Sequence, residues 1–582
     1  MHSINVNNLL IACCFIGLLL GTTLSAADAL TAEPGALDVA NIRTLTQTDP
    51  NLTGTGTLIG TICRSQSYVN SRPQNDFHFN MNHASMFDAD VRFMDGSDGR
   101  FSVSEHATSI GGILLGLDEH ASHPDIGSFQ YRGVCPDASV NAYEFEQFSI
   151  QNVLAGKPVT EKILVLSLGI MFEDWWVRGL EQIAAENDIL VVASVGNGTR
   201  DYTPQPLFPA AGSNVLSVGV VDAVTDADGT IHLRDFSTPK RIHSSSGPTE
   251  DRRCKPDMVA PGTALVPVAN NENGYELKHN WSSLAAPIVA GTAALLEQKI
   301  LSDEDLERAF DRPGQNLVLK AVLMNSARKL PYWHKGQPGP EDDHEAPLDY
   351  KQGTGMIDAM AAYQQLLAGM NNPGQVKSAG WDNRVLDGSN SVYEYTFQAS
   401  DPNQMITATL CWNRAYESEY PFNHQLDQDG DLRLELWGTP LDSPNEQILL
   451  DFSDSVNDNV EHLYLAGSNT YSTYTLRVLF NEQQDTETPK QRFALAWSVA
   501  PDRQVGNIWW QDLNADDMID QHDQIIYSVL SNENKDILRV LFETDLFKLQ
   551  PEQIDLLITQ WPQFAPYVSD VTPDLIRSPD SP

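Results

Sequence analysis

The run from Trp281 to Gly291 limits the possible folds of this chain more than any other part of the sequence. Ser282 and Ser283 stand near its start, and the residues after them are small or aliphatic. This composition predicts a closely packed helix that begins at the two serines. A hydroxyl there faces unpaired backbone N–H groups and the positive end of the helix dipole, which stabilise a developing oxyanion. Ser283 is therefore a candidate nucleophile, although an isolated motif of this kind is more often an ordinary helix cap.

Short apolar runs alternate with helical segments between about residues 40 and 370. An amphipathic segment, Trp175–Glu186, is typical of the helical parts, and the apolar runs include Thr57–Ile62, Ile163–Leu168, Ile189–Ser194 and Val215–Val220. The alternation predicts an α/β fold in which helices cover both faces of a parallel sheet. Such sheets bind ligands at the carboxyl ends of their strands.

Three further segments place functional side chains near such ends. His106 opens a second small-residue helical run and could exchange a proton with a serine nucleophile. Asn197 follows a buried run within Gly196-Asn197-Gly198, and its amide could donate to an oxyanion. Ser167-Leu168-Gly169 ends another run and offers backbone groups that could pair with an extended peptide. Each segment alone is more typical of a capping histidine, a turn or a loop.

Together these segments resemble the subtilisin-like serine peptidases, or subtilases, in their sequence motifs and in the order of those motifs. Further segments that resemble family motifs occur at Gly133–Ala138, Phe208–Ala211 and Gly353–Ala359. The resemblance implies a peptidase domain over residues 38–370, with Ser283 as nucleophile and His106 as general base. It also implies Asn197 as the oxyanion donor and Ser167, Leu168 and Gly169 as the substrate-binding strand. Trp281 replaces the glycine of the family motif.

One expected landmark is absent. The family's first strand ends in an aspartate that orients the histidine, and Cys63 takes that place here. A triad carboxylate fixes the imidazole tautomer and stabilises its cation, and replacing it with an amide costs about 10⁴-fold in rate. A thiolate could supply the charge, but a free thiol has a pKa of about 8.5.

Three explanations of Cys63 are open. A carboxylate from the segment before His106 could replace the aspartate, with Asp88, Asp90, Asp95 and Asp98 as candidates. Alternatively, Ser283 and His106 could act slowly as a dyad, because the oxyanion hole and substrate binding give residual catalysis. Finally, the chain could be a binding protein built on a peptidase fold.

The composition limits partners and location. With 37 Lys plus Arg against 78 Asp plus Glu, the net charge is −41, which argues against nucleic-acid or anionic-membrane partners. Residues 8–25 form an apolar run that predicts a signal peptide over residues 1–27 and a secreted protein; a lipobox-like Leu10–Cys13 makes lipid anchoring the alternative. No second apolar run of about 18 residues follows, so no membrane span is expected. The remaining cysteines form no CxxC pair, which predicts neither a zinc site nor a disulfide framework, and they are Cys63, Cys135, Cys254 and Cys411.

The pattern changes after about residue 370. Short alternating apolar runs separated by turn-rich spacers predict an antiparallel β-sandwich over residues 380–500, and this segment resembles a sandwich found in some large subtilases. A small helical module is expected at 503–565. The tail at 566–582 is rich in Pro, Ser and Asp, which predicts disorder.

The small module opens on a loop with the spacing of calcium ligands. Side-chain oxygens occupy loop positions 1, 3, 5, 9 and 12, a backbone carbonyl is available at position 7, and these residues are Asp512, Asn514, Asp516, Asp520, Asp523 and Met518. Calcium takes six to eight oxygens in such flexible loops. The loop resembles a dockerin-type EF-hand, although Asp517 replaces the usual glycine. The resemblance implies calcium as a structural cofactor and a cohesin-like or surface partner; a calcium-stabilised stalk is an equal alternative.

The sequence therefore predicts a secreted serine endopeptidase that acts on protein or peptide substrates by acyl transfer. The alternative is a catalytically impaired subtilase fold that binds peptides or attaches to a surface.

The calcium loop yields a direct prediction. Calcium should raise the melting temperature of the full chain in a thermal-shift assay, because an ion that binds only the folded state stabilises it. Asp512→Ala should abolish the increase. A melting temperature that calcium leaves unchanged, in both the wild type and the variant, would remove the metal hypothesis.

Overall fold

A seven-stranded, all-parallel sheet lies at the centre of the molecule. The structure is a computed structural model that describes residues 34–65, 68–69, 72–73, 76–97, 102–201, 204–225, 231–331, 333–336, 344–399, 403–425, 430–481 and 490–501. The expected signal peptide at residues 1–27, the calcium loop and the C-terminal tail lie outside the described residues.

The first part of the chain contains fifteen described strands. They are β1 (Leu58–Cys63), β2 (Tyr68–Val69), β3 (Arg72–Pro73), β4 (Asp90–Phe93), β5 (Leu117–His123), β6 (Gly127–Arg132), β7 (Ser139–Glu144), β8 (Ile163–Leu166), β9 (Leu190–Ser194), β10 (Val215–Val221), β11 (Ala223–Thr225), β12 (Ile231–Phe236), β13 (Met258–Pro261), β14 (Ala264–Pro267) and β15 (Tyr275–Lys278). The central sheet has the order β13-β10-β9-β8-β1-β7-β4. Every residue of β8, β9, β10 and β13 is buried, as expected for a parallel sheet covered on both faces.

Helices cover this sheet. They are α1 (Ala36–Val39), α2 (Ile42–Thr48), α3 (Glu105–Leu115), α4 (Phe145–Phe148), α5 (Trp175–Glu186), α6 (Ser282–Ser302), α7 (Glu304–Phe310), α8 (Gln315–Asn325) and α9 (Ala359–Leu367), with short helical turns at Ala84–Met86, Ser149–Leu154 and Gly198–Asp201. The predicted α/β class is confirmed. The predicted helix Trp175–Glu186 is α5, and the four predicted apolar runs lie on β1, β8, β9 and β10.

Helix α6 packs against α3 and against β8, β9, β10 and β13. Gly291 also lets α6 approach the segment before β7 closely, because a Cβ added there would lie 2.7 Å from the Val134 side chain. The helix is long and apolar enough to cross a membrane, but it is mostly buried inside the protein. Its apolar character is therefore explained by its place in the core.

The C-terminal part forms two antiparallel sheets, as predicted. Its strands are β16 (Gly374–Gln375), β17 (Ala379–Leu386), β18 (Val392–Phe397), β19 (Gln404–Trp412), β20 (Leu432–Pro440), β21 (Ile448–Ser453), β22 (Val460–Ala466), β23 (Tyr471–Phe480) and β24 (Gln491–Pro501). A five-stranded sheet of order β16-β18-β23-β20-β21 faces a four-stranded sheet of order β17-β24-β19-β22, and one short parallel pair, β16 with β18, lies at the edge of the larger sheet. The alternating apolar runs behind that prediction lie on β18, β19, β20, β23 and β24, and they are Tyr393–Gln398, Ile406–Trp412, Leu432–Trp437, Tyr474–Phe480 and Phe493–Trp497. Strands β16, β17, β21 and β22 were not predicted.

The four-stranded sheet packs its outer face on α8, so this helix lies between the two parts of the molecule. Cys411, Ala494 and Ala496 of that sheet share one apolar cluster with the core of the first part. Polar contacts cross the same boundary: Gln365 Nε2 donates to the carbonyls of Gly380 and Trp497, both at 2.7 Å.

A buried ion cluster lies beneath β10. Asp257 Oδ2 accepts from Lys255 Nζ at 2.7 Å and from the Ser217 backbone N–H at 2.6 Å. Lys320 Nζ of α8 lies 3.8 Å from Asp257 Oδ1. All three charged side chains are buried, and the one carboxylate therefore balances two buried ammonium groups.

Asp257→Ala should lower the free energy of unfolding by about 3–5 kcal/mol, because it leaves Lys255 and Lys320 buried without their carboxylate. Urea unfolding followed by circular dichroism measures the loss. The matched control is Asp305→Ala, since the exposed pair Arg308–Asp305 should contribute no more than about 1 kcal/mol. Equal effects of the two substitutions would contradict the assignment.

Candidate active site

Ser283 is the second residue of α6, at the helix N-terminus that the sequence predicted. Its side chain is largely buried at the carboxyl end of the central sheet, and Trp281 precedes the helix in extended conformation. Ser167 Oγ donates to the Ser283 carbonyl at 3.0 Å, which links the nucleophile to the predicted substrate strand. The structure therefore brings Ser283 and Ser167 together.

Asn197 follows β9 and is held by the residue next to the candidate nucleophile. Its Oδ1 accepts from the backbone N–H of Ser282 at 2.9 Å and from Ser282 Oγ at 2.8 Å. Because both contacts use the amide oxygen, they fix the orientation of the whole amide group. Glycine is required next to it, since a Cβ at Gly198 would lie 1.9 Å from the Arg241 carbonyl oxygen.

The segment Ser167-Leu168-Gly169 continues directly from β8. Within the described residues, the backbone groups of Leu168 and Gly169 make no hydrogen bond. The chain then pairs again, because Ile170 and Phe208 exchange two backbone hydrogen bonds of 2.8 Å. An extended peptide could use the backbone of Leu168 and Gly169, as expected for strand addition.

His106 is the second residue of α3, and Ser104 caps that helix by accepting from the Ala107 N–H at 3.2 Å. The imidazole makes no hydrogen bond to a described residue. Burial, and next the nearby Lys278 ammonium, lower the pKa of His106 to about 4, although Glu105 partly offsets these two effects. His106 is therefore neutral at pH 7.

The Lys278 ammonium is itself paired. It contacts the Glu105 carboxylate and lies 3.2 Å from Glu276 Oε1. The positive charge therefore stays at the end of β15, close to the helix terminus that carries His106. The imidazolium form of His106 is therefore disfavoured, whereas the family resemblance implies a carboxylate that would stabilise it.

Cys63 ends β1 as predicted, and its side chain is buried in the apolar core. Burial, together with the charge of Glu144 on the neighbouring strand, raises the pKa of the thiol to about 12. The thiol is therefore neutral at physiological pH and cannot act as a thiolate that replaces the aspartate. Cys63, Cys135, Cys254 and Cys411 are free and buried in the structure.

The nearby aspartates have other partners. Asp90 accepts from Ser139 Oγ at 2.6 Å, and Asp95 Oδ2 lies 2.9 Å from His78 Nε2. Asp88 is exposed, and Asp98 lies outside the described residues. Ser97 Oγ also contacts His78 Nε2, at 3.0 Å. This Ser–His–Asp group is not a second triad, since a relay needs the serine and the carboxylate on opposite ring nitrogens.

The sequence placed Ser282 at the helix start but did not predict its contacts with Asn197, and Lys278 was not predicted at the site. The hydroxyl of Ser282 was available as a signal, because it stands directly before the candidate nucleophile. Lys278 gave no signal in the sequence, since its approach to Glu105 depends on the β14–β15 hairpin. Among the described residues there is no cluster of three or more side chains that could hold a metal ion.

A parallel α/β sheet with a serine at a helix N-terminus, an anchored asparagine and a histidine at the start of the adjacent helix α3 is the arrangement expected of a serine peptidase. The family model described as the subtilase family matches residues 48–355, more than half of the chain. The chain belongs to the subtilase family.

Individual relatives are more distant. The chain is 26% identical over 365 residues to a PIII-type proteinase of Lactococcus lactis subsp. cremoris (strain SK11), covering 58% of this chain and 17% of that protein. It is 35% identical over 121 residues to a C5a peptidase of Streptococcus pyogenes serotype M18 (strain MGAS8232), covering 20% of this chain and 9% of the relative. The chain therefore spans only a small fraction of the length of these relatives.

The site electrostatics can be tested without an activity assay. By NMR, the imidazole of His106 should titrate near pH 4, with His106→Gln assigning the signal. The double substitution Cys63→Asp with Glu144→Gln should raise that pKa by roughly 1 to 3, because a nearby carboxylate stabilises the imidazolium. Glu144→Gln avoids two adjacent carboxylates and keeps an oxygen acceptor for the Gln147 N–H.

Cys63→Ser is the matched control for that titration and should leave the pKa of His106 unchanged. An unchanged value in the double variant as well would show that a side chain at position 63 does not act on His106.

Proposed function

We propose that the protein is a serine endopeptidase that hydrolyses peptide bonds through an acyl-enzyme on Ser283. The observation that carries the proposal is the double hydrogen bond from Ser282 to Asn197 Oδ1, which holds the amide beside the N-terminus of α6. Prearranged donors at this place stabilise the negative charge that develops in acyl transfer, and they do not have to reorganise during the reaction.

The chemistry assigns one role to each group. Ser283 Oγ attacks the scissile carbonyl, and His106 accepts the hydroxyl proton. The oxyanion forms near Asn197 and the first N–H groups of α6. His106 then returns the proton to the leaving amine, the C–N bond breaks, and the acyl-enzyme remains. A water molecule then attacks the acyl-enzyme, His106 takes its proton and passes it to Ser283 Oγ, and the acid is released. Ser167–Gly169 holds the peptide extended during these steps.

The missing carboxylate limits the rate. The neutral imidazole is ready to accept a proton at pH 7, but a base with a pKa of about 4 accepts it weakly. Replacing a triad aspartate with an amide costs about 10⁴-fold in kcat, and the buried neutral thiol of Cys63 should do no better. We therefore expect slow turnover by a Ser283–His106 dyad.

A second candidate function follows from the same departure. The neutral Cys63 does not stabilise the imidazolium and the cationic Lys278 disfavours it, whereas pairing of a peptide with the backbone of Ser167–Gly169 needs neither group. The alternative is therefore a peptide-binding or surface-attachment protein that retains the subtilase fold.

The remaining expectations complete the proposal. Secretion is supported by the apolar run at residues 8–25, and lipid anchoring at Cys13 is the alternative. Calcium binding and a cohesin-like or surface partner rest on the ligand spacing at Asp512–Asp523. The net charge of −41 favours neither nucleic acid nor an anionic membrane as a partner.

A fluorophosphonate probe should label the wild-type protein on Ser283, as located by peptide mapping with mass spectrometry. Ser283→Ala should abolish labelling, because the nucleophile is removed. The matched control is Ser302→Ala, at the exposed far end of α6, which should label at the wild-type rate.

The Cys63→Asp, Glu144→Gln variant should label faster than wild type by about tenfold or more, because it restores the charge that supports the imidazolium. Absence of labelling in a correctly folded wild type and in this variant would reject the peptidase proposal and favour peptide binding.

A further inference from the structure

A second connection joins the segment that follows β9, residues 197–201 (the asparagine loop), to the segment that leads into α6, residues 279–283 (the serine loop). Arg200 lies on the helical turn Gly198–Asp201, three residues after Asn197. Its Nη1 donates to the backbone carbonyls of His279 at 3.2 Å and Asn280 at 3.0 Å. Its guanidinium carbon lies 4.5 Å from the ring centroid of Trp281. One side chain thus contacts three consecutive residues that lead into α6.

The serine loop is held firmly on its other side. Asn280 is buried and adopts a left-handed backbone conformation with φ 51°. Its Oδ1 accepts from Thr263 Oγ1 at 2.7 Å and from the Ala223 N–H at 3.1 Å. These contacts fix the peptide unit whose carbonyl receives Arg200, because the Asn280 side chain and backbone are anchored at separate points.

The contacts form a closed ring. The chain runs from Asn197 to Arg200, crosses by hydrogen bonds and ring stacking to His279–Trp281, and returns through Ser282 to Asn197 Oδ1. If the Arg200 side of the ring is broken, the two loops keep the direct Ser282 contacts with Asn197. They also keep an indirect link through residues 241–245, which accept from the backbone N–H groups of Gly198, Thr199 and Arg200 and contact Asn280 through His243. The Arg200 side chain therefore shares the placement of Asn197 relative to Ser283 with these contacts.

We propose that Arg200 is a positioning residue that sets the placement of Asn197 relative to Ser283. This inference rests on the proposed function, because it gives Asn197 the oxyanion role. Arginine suits the task since a planar guanidinium can donate in its plane while its face stacks on an aromatic ring. Trp281 replaces the glycine of the family motif, and it supplies the ring on which Arg200 stacks.

The expected effect follows from the geometry of the reaction. Loss of an entire oxyanion donor costs about 100- to 1000-fold in kcat. Removing Arg200 displaces that donor without deleting it, so we expect about a tenfold decrease in kcat and in the fluorophosphonate labelling rate, with KM unchanged. The substrate strand at Ser167–Gly169 does not contact Arg200 by any hydrogen bond among the described residues.

Two variants separate geometry from charge. Arg200→Met removes the donors and the charge, whereas Arg200→Lys keeps the charge but loses the planar stacking group. Both should show the tenfold decrease. The matched control is Arg241→Met, an exposed arginine next to the same turn whose backbone carbonyl accepts from the Thr199 N–H. It removes the same charge and should react at the wild-type rate.

Backbone amide hydrogen exchange tests the ring without using activity. In Arg200→Met and Arg200→Lys, exchange should accelerate at residues 197–200 and 279–283, including the Ser282 N–H that contacts Asn197. Exchange in α8 and in the β-sandwich should stay unchanged. In a Ser283→Ala background, the affinity for a peptide substrate should also be unchanged, which a general loss of structure would not permit.

Three outcomes decide the proposal. Faster exchange confined to both loops, together with a lower kcat at constant KM, supports the positioning role. Unchanged exchange, or wild-type kcat in Arg200→Lys, overturns it. If neither the wild type nor the Cys63→Asp, Glu144→Gln variant labels, the peptidase proposal fails, and the confined exchange response alone then supports or rejects the ring as a structural device.

Discussion

The burial of α6 is the constraint on which the rest of the structure depends. This helix of 21 residues lies against four parallel strands and α3, and most of its residues are buried. Gly291 lets it approach Val134 closely. This packing places the helix N-terminus, and therefore Ser283, at the carboxyl ends of the strands. Loops that follow β8 and β9 reach the same edge, which brings Ser167 and Asn197 to the serine.

The electrostatics around His106 differ from those of a triad with a carboxylate. The position at the end of β1 carries a neutral, buried thiol, and the nearest charge effects on the imidazole come from Lys278 and Glu105. In the proposed acyl-transfer site, Asn197 is anchored beside the N-terminus of α6, whereas the imidazole of His106 has no hydrogen bond to a described carboxylate. Only the proposed base side therefore departs from the pattern that the family resemblance implies.

Much of the architecture could be predicted from the sequence. Apolar runs without alternation identify β8, β9 and β10 because both faces of these strands are buried, and the α5 periodicity gives its bounds. The strands of the β-sandwich were harder to predict. Strand β21 begins with two exposed apolar residues, and β17 has its side chains covered by contacts with α8 and α9, so neither shows a simple alternating pattern.

The residues of the candidate site also differ in how far the sequence could predict them. Local motifs identified Ser283, His106, Asn197 and Cys63, because each lies at a strand end or helix start. The contacts of Arg200 and Lys278 join segments about eighty and 170 residues distant in the chain, and no local pattern encodes such pairings. Whether Asp90 could approach His106 also required coordinates, since its partner Ser139 lies on another strand.

The position of α8 has a consequence for how the molecule unfolds. One face of this helix belongs to the core of the α/β part and the other supports the four-stranded sheet, and Cys411 and Ala494 share a continuous apolar cluster with that core. The sandwich is therefore part of the same folding unit as the site. Heat or denaturant should melt both in one cooperative transition, and a chain shortened at residue 370 would expose to water the apolar surface that normally stabilises the catalytic half.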